Sequence, residues 1–275
     1  MVVANGIGFI GAGKVGCSLA RYLREGGAEL AGFSSCREES ARKAAEHIGG
    51  RAFASALDVV RAADIVFLTV PDGSIRSVAD LLAEAAVGER LDLSAKVFLH
   101  CSGAISSEAL SALRTAGATA CSLHPLYAVS SRFDCWRELS RAWFSVEGDE
   151  PAVACARELL KPLGNHVVRI DAANKTRYHA SAVMASNLVV GLYNEAAEQL
   201  VQCGFTPKDA ESALAPLFLG NAEHIARDGV AASLTGPAAR GDAATVDAHL
   251  SCLSGDDREI YRLLTDVVYR IAARS

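Results

Sequence analysis

The chain has 275 residues, enough for one or two domains with a substantial core, and a 51% hydrophobic, 21% charged composition that is globular rather than disordered. Its net charge of -5 and scattered Lys and Arg residues exclude a basic nucleic-acid footprint. The longest uncharged run, 180–194, is too short and too rich in Ser and Asn for a membrane span.

The first predicted element is a short apolar strand at 7–10. It runs directly into Gly11-Ala12-Gly13-Lys14-Val15-Gly16, and helical spacing follows through Leu19, Tyr22 and Leu23. Gly11 permits a tight turn, Gly13 lets the backbone approach a pyrophosphate, and Gly16 lets the helix pack closely on the strand. The amides that open the helix then face the phosphates. A glycine pattern of this kind is informative only between a strand and a helix, which is its setting here.

A second strand is expected at 29–34, a helix at 38–48 and a short strand near 51–54. The tip of the second strand reads Ser34-Ser35-Cys36-Arg37, with no Asp or Glu to hold a free ribose diol. Hydroxyls beside a guanidinium suit a 2′-phosphate, so the cofactor is read as NADP rather than NAD. The alternative is that the two serines cap the helix that follows.

Further apolar runs at 63–70, 96–101, 118–123 and 143–147 suit strands of a mostly parallel sheet covered on both faces. Strands alternating with helices predict an α/β, Rossmann-like domain with ligands at the carboxyl ends of its strands. Those ends carry Val70-Pro71-Asp72, Ser102-Gly103 and His124-Pro125. Asp72 is either a crevice residue or a helix N-cap. Ser102 and Gly103 offer a donor and close backbone access to a small ligand, or form only a turn. His124 is placed to bind an anion or shuttle a proton, or is an ordinary loop histidine. His100, inside its strand, reads as structural. A helix at 151–163 and a strand at 166–170 close a domain spanning 1–170.

Residues 171–203 lack proline and repeat apolar residues at helical spacing, predicting one helix of roughly 45 Å. Lys175 and His179 share one of its faces, with Ser186 on nearly the same line and Asn187 beside it. They form either a substrate wall or a solvated first turn. Helices at 207–227, 242–253 and 256–273 complete an all-helical domain, 171–275. Between them, Thr235, Arg240 and the helix opening at Asp242 either favour a carboxylate or form only a turn and an N-cap. Eight cysteines without a Cys-x-x-Cys pair point to reduced thiols and a cytoplasmic protein with no metal site. No basic region followed by a cleavable apolar segment opens the chain, so no signal peptide is expected.

The glycine loop, 63–72 and the long helix resemble the 6-phosphogluconate and β-hydroxyacid dehydrogenase-like superfamily, which includes pyrroline-5-carboxylate and ketopantoate reductases. More closely, His100-Cys101-Ser102-Gly103-Ala104, His124-Pro125, 175–179 and 234–242 resemble a family labelled NADP oxidoreductases. Its members pair a Rossmann-like domain with a C-terminal domain of unknown function. The resemblance implies a helical domain of the 6-phosphogluconate dehydrogenase C-terminal kind and a homodimer formed through it. β-Hydroxyacid dehydrogenases carry a catalytic Lys followed four residues later by Asn. Lys175 matches that Lys, while His179 stands in place of the Asn. Pyrroline-5-carboxylate reductases lack the Lys and use a Pro-Gly-Gly-Thr-Thr turn where this chain has 235–242.

The reading is an NADP(H)-dependent oxidoreductase acting on a small C=O or C=N compound, carboxylate-bearing if Arg240 holds an anion. Lys175 is the expected general acid or polarising group, tuned by His179, with Ser102, Gly103, His124 and Asn187 positioning the substrate. The competing reading is an NADP-binding sensor or scaffold without catalysis.

Overall fold

The computed structural model describes residues 6–274. Its strands are β1 (Ile7–Ile10), β2 (Leu30–Ser34), β3 (Arg51–Ala52), β4 (Ile65–Leu68), β5 (Val97–His100), β6 (Thr119–Leu126), β7 (Trp143–Gly148) and β8 (Val167–Arg169). They form one sheet in the order β3-β2-β1-β4-β5-β6-β7-β8. Pairing is parallel from β3 through β6 and again between β7 and β8, while β6 and β7 are antiparallel.

The helices of this part are α1 (Lys14–Glu25), α2 (Glu38–Ile48), α3 (Ala56–Ala62), α4 (Ile75–Gly88), α5 (Ser111–Thr115), α6 (Glu150–Leu160) and α7 (Lys175–Met184). Strand alternation sorts them into two layers. Ile7, Phe9, Ile65 and Phe67 pack beneath α1, α2 and α6, where Phe9 stacks on Phe33 and Phe67 at 5.5 and 5.0 Å. Ile10, Val66 and Leu68 point the other way, onto α3, α4 and α5. With both faces covered, β1, β4 and β5 are buried at every position, which is why they read as unbroken apolar runs.

Beyond Ser122, β6 outruns β5 and pairs only with β7. Pro125 sits in this overhang, where its missing N–H costs no bond on the β5 side. The overhang also carries His124 past the neighbouring strand ends.

The expected helix over 171–203 is two helices, α7 and α8 (Asn187–Gln202). Nothing in the local composition signals the break. The Ser186 hydroxyl donates back to the Ala182 carbonyl at 2.7 Å, and the amides of Ala185 and Ser186 close onto Ser181 and Val183. Such back-bonding bends or ends helices. The chain accordingly divides into compact units after Ser186, later than the expected boundary at 170, with α7 in the first unit.

The second unit contains α8, α9 (Pro207–Asp228), α10 (Gly236–Ala239), α11 (Ala243–Cys252) and α12 (Gly255–Ala272). The sequence marks their starts: Thr206 accepts the Asp209 amide before Pro207, and Asp242 accepts the Thr245 amide. This unit is thinly packed. Val190 and Leu217 are each 71% exposed, and a cavity of about 550 Å³ is lined by Leu192, Tyr193, Leu217, Phe218, Ile225 and Val268, among others. Among the described residues no helix is long and apolar enough to cross a membrane.

Candidate active site

Each glycine of the first loop answers to its surroundings. A Cβ on Gly11, whose φ is +108°, would lie 2.5 Å from the Thr69 carbonyl oxygen. One on Gly16 would meet the Thr69 hydroxyl at 2.4 Å and the Gly11 carbonyl oxygen at 2.7 Å. Thr69, at the end of β4, donates its hydroxyl to the Gly11 carbonyl at 2.8 Å, and the Gly11 amide donates to Ser34 at 2.8 Å. The loop is thus tied to the ends of β2 and β4. Gly13 is different: no atom of the chain lies within 4 Å of where its Cβ would be.

No side chain caps α1, so its opening amides, with Lys14 and Val15 in the first turn, are left for a ligand. Open space above Gly13 and uncapped donors around it fit a pyrophosphate.

At the tip of β2 the capping alternative fails. The N-cap of α2 is Arg37, and no side-chain hydrogen bond caps that helix. Ser34 Oγ is buried without a partner, Ser35 is half-buried and Arg37 is exposed. This donor set fits an anionic group on the adenosine side.

The other strand ends meet in a polar cluster. Asp72 lies in a 3-10 turn after Val70 and Pro71 and does not cap α4. Its carboxylate accepts the Ser102 hydroxyl at 2.8 Å. Ser102 Oγ also accepts the amides of Ala104 and Ile105, at 3.2 and 3.0 Å. Ser102 therefore shapes its loop, and its hydroxyl is already committed. Gly103 is enclosed: a Cβ there would stand 2.7 Å from His179 Nδ1 and 2.8 Å from His124 Nε2. The absence of a side chain is what admits both imidazoles.

Lys175, only 2% exposed, opens α7. Its Nζ donates to the Ser102 carbonyl and to Ser122 Oγ, both at 2.7 Å. Burial pushes its ammonium below the ordinary lysine range, opposed chiefly by the charge of Glu147. One turn on, Tyr178 meets His124 Nδ1 through its hydroxyl at 2.8 Å, and His179 Nδ1 is buried without a partner.

Three of these neighbours escaped the sequence reading: Ser122, Glu147 and Tyr178. Register explains the first two. His100, Ser122 and Glu147 are directly opposite one another across β5, β6 and β7, so their side chains share a face. Ser122 stands two residues from His124, a same-face spacing within an apolar strand that was a usable signal. Glu147 is itself held by Ser107, which donates its amide at 2.7 Å and its hydroxyl at 2.8 Å. Of the remaining expected residues, Asn187 begins α8 and the exposed Arg240 follows α10, both in the second unit.

The buried histidines are neutral. Burial, with Lys175 next in weight, pulls His100 and His124 from 6.5 to about 4. His100 takes the Ser102 amide on Nδ1, and the Ser106 carbonyl faces Nε2, which fixes its proton on Nε2. Between these values the unfolded chain binds more protons than the folded one, so stability rises with pH. The contribution is complete above about 6.5 and is lost as pH falls toward 4. Lowering pH from 7.5 to 5 is expected to cost about 2 kcal/mol per histidine, read from urea unfolding, and His100→Asn should remove about half of that dependence.

Residues 6–94 match the family described as NADP oxidoreductase coenzyme F420-dependent, and residues 142–268 match a domain of unknown function, DUF2520. No curated protein matches the chain. Among solved structures, a Thermotoga maritima protein is 25% identical with a TM-score of 0.75, covering 98% of both chains. A Bacteroides fragilis protein, provisionally described as an NADP oxidoreductase, is 21% identical with a TM-score of 0.72 over 96% of this chain and 97% of its own. The Plasmodium falciparum pyrroline carboxylate reductase, solved with NADP bound, is 11% identical with a TM-score of 0.58, covering 99% and 100%. With its glycine loop, uncapped α1 and polar strand ends, the chain joins a domain matching the coenzyme F420-dependent NADP oxidoreductases to one matching DUF2520, and is an oxidoreductase using an NAD(P)-type cofactor.

Proposed function

We propose that the enzyme is NADP(H)-dependent and moves a hydride to or from a small C=O or C=N compound. The observation that carries this reading is the single polar cluster formed by Asp72, Ser102, Gly103, His124 and Lys175 at the carboxyl ends of β4, β5 and β6. In a doubly wound sheet the glycine loop takes the pyrophosphate, and the half beyond β4 takes the nicotinamide. The bound cofactor supplies or accepts the hydride. Gly11, Ala12, Gly13, Lys14, Val15 and Gly16 would hold the pyrophosphate, and Ser34, Ser35 and Arg37 the 2′-phosphate. Val70, Pro71 and Asp72 would border the nicotinamide. Gly103, His124 and His179 would face the substrate.

Lys175 is assigned an indirect part. An ammonium enclosed by Ser102 and Ser122 fixes the Ser102-Gly103 loop and polarises its peptide, an arrangement suited to positioning. A structure with NADP tests the reading. Nicotinamide C4 within about 4 Å of a substrate atom beside Gly103 and His124 is expected. A nicotinamide directed away from the β4–β6 ends would contradict it.

The helical unit is proposed to form the homodimer. Apolar residues stand exposed on α8, α9 and α12, among them Val190, Leu217 and Leu263, more than a soluble monomer ordinarily leaves open. Light scattering should give twice the 28.8 kDa chain mass. A monomer at micromolar concentration would overturn the assignment. The eight cysteines are all unpaired, which supports a reducing, cytoplasmic setting.

A further inference from the structure

The oxidoreductase reading leaves open which group delivers the proton that must accompany hydride. Lys175 is enclosed, and His179 Nδ1 is buried against Gly103. His124 is differently placed. Its Nδ1 is taken by the Tyr178 hydroxyl at 2.8 Å, and its opposite nitrogen, Nε2, borders Gly103 at the strand ends.

We propose that a Tyr178–His124 dyad delivers the proton to the substrate atom, with His124 held by Tyr178 as the tautomer whose proton is on Nε2. The proposal rests on the oxidoreductase reading.

Three observations set the direction of the dyad. The buried Ser145 lies directly opposite His124 in the β6–β7 register. Its hydroxyl has no partner at hydrogen-bond distance, so from the β7 side it competes for neither atom of the Tyr178–His124 hydrogen bond. A phenol is a stronger acid than a neutral imidazole N–H, so the shared hydrogen is the phenol's, donated to His124 Nδ1, which leaves the imidazole proton on Nε2. Finally, His179 Nδ1, buried without a partner, borders Gly103 together with His124 Nε2, where two facing lone pairs would repel and a proton on His124 Nε2 removes that repulsion.

The charged and titratable groups facing His124 are Lys175 and His179 from α7, Asp72 beyond β4 and His100 on β5. Their balance, together with burial, keeps its ring neutral at working pH.

The step balances. As hydride reaches the carbon of a C=O group, the π pair moves to oxygen. That oxygen takes the Nε2 proton, while Nδ1 takes the phenol proton and the ring returns to neutrality as the other tautomer. A proton from solvent then enters at Nε2 while Nδ1 returns its proton to the phenolate, and the proton positions reset. For a C=N substrate the same proton goes to nitrogen.

The test uses the full-length protein labelled with nitrogen-15 at histidine. Long-range proton–nitrogen spectra should show His124, assigned by its loss in His124→Gln, protonated on Nε2 and untitrated from about pH 5 to 8. Tyr178→Phe should shift that tautomer toward a mixture. A proton on Nδ1, or an imidazolium forming near pH 6.5, would overturn the dyad. In turnover with NADPH across 2-oxo acids, 3-oxo acids and cyclic imines, Tyr178→Phe and His124→Gln should each lower kcat by about 10²-fold or more. The KM for NADPH should stay within about twofold, which also reports that the variants are folded. Unchanged kcat in Tyr178→Phe would overturn proton delivery by the dyad. Absence of turnover in the unaltered protein would instead overturn the oxidoreductase reading, and with it the catalytic role, while the spectra still decide the tautomer.

Discussion

Lys175→Met is expected to lower turnover by about a hundredfold while leaving NADP affinity within about twofold. The substitution keeps the volume and apolar stem but removes the donor to the Ser102 carbonyl and to Ser122 Oγ. Two buried polar atoms then lose their ammonium, at about 1–3 kcal/mol each where no other donor reaches them. The Ser102-Gly103 segment is free to relax, and Gly103 has little room to do so without striking His124 and His179. Displacement of about an ångström at the reacting centre is enough for a hundredfold loss. Lys175→Arg should not restore the rate, because a guanidinium cannot occupy a space shaped around a point charge. The split between kcat and cofactor affinity is the informative readout. Equal turnover in Lys175→Met would remove Lys175 from the site, and an equal loss in cofactor binding would mean that the whole sheet end had collapsed.

Arg37→Ala is expected to weaken NADP binding about ten- to a hundredfold and to leave NAD binding nearly unchanged. Arg37, exposed at the N-cap of α2, follows the buried, unpartnered Ser34 hydroxyl by three residues at the tip of β2. Hydrogen bonds to a charged phosphate contribute about 1.5–3 kcal/mol, which converts to that range. NAD carries no phosphate at this position, so it has nothing to lose. Titration of both nucleotides into the same variant checks the result, and parallel loss of NAD affinity would assign Arg37 to the fold rather than to cofactor choice.

What the sequence disclosed follows the range of the forces involved. The glycine loop was legible because a strand, a turn and a helix start are local, and each glycine there answers to its own backbone or to Thr69. Strand ends with Asp72, Ser102 and His124 could be marked for the same reason. The partners of those residues could not. Tyr178 meets His124, and Lys175 meets Ser122, across separations of more than fifty residues, and only the β5–β6–β7 register aligns His100, Ser122 and Glu147.

The same limit explains the reassigned roles. A lysine four residues before a histidine reads as a reactive pair on one face, yet burial decides that Lys175 turns inward onto a loop carbonyl. Ser102 reads as a free hydroxyl until Asp72 is found holding it. The helix break after Met184 was also beyond local reading, since serine and alanine do not end helices by propensity alone.

The central claim is that this chain oxidises or forms NADPH against a small carbonyl or imine compound. It is tested most directly by following NADPH and NADH consumption by the full-length protein across 2-oxo acids, 3-oxo acids and cyclic imines. Substrate-dependent oxidation is predicted, with NADPH favoured over NADH by about tenfold or more, in line with the phosphate contacts expected of Arg37 and Ser34. NADPH that binds tightly yet is oxidised with none of these compounds would contradict it and would leave a nucleotide-binding protein without this chemistry.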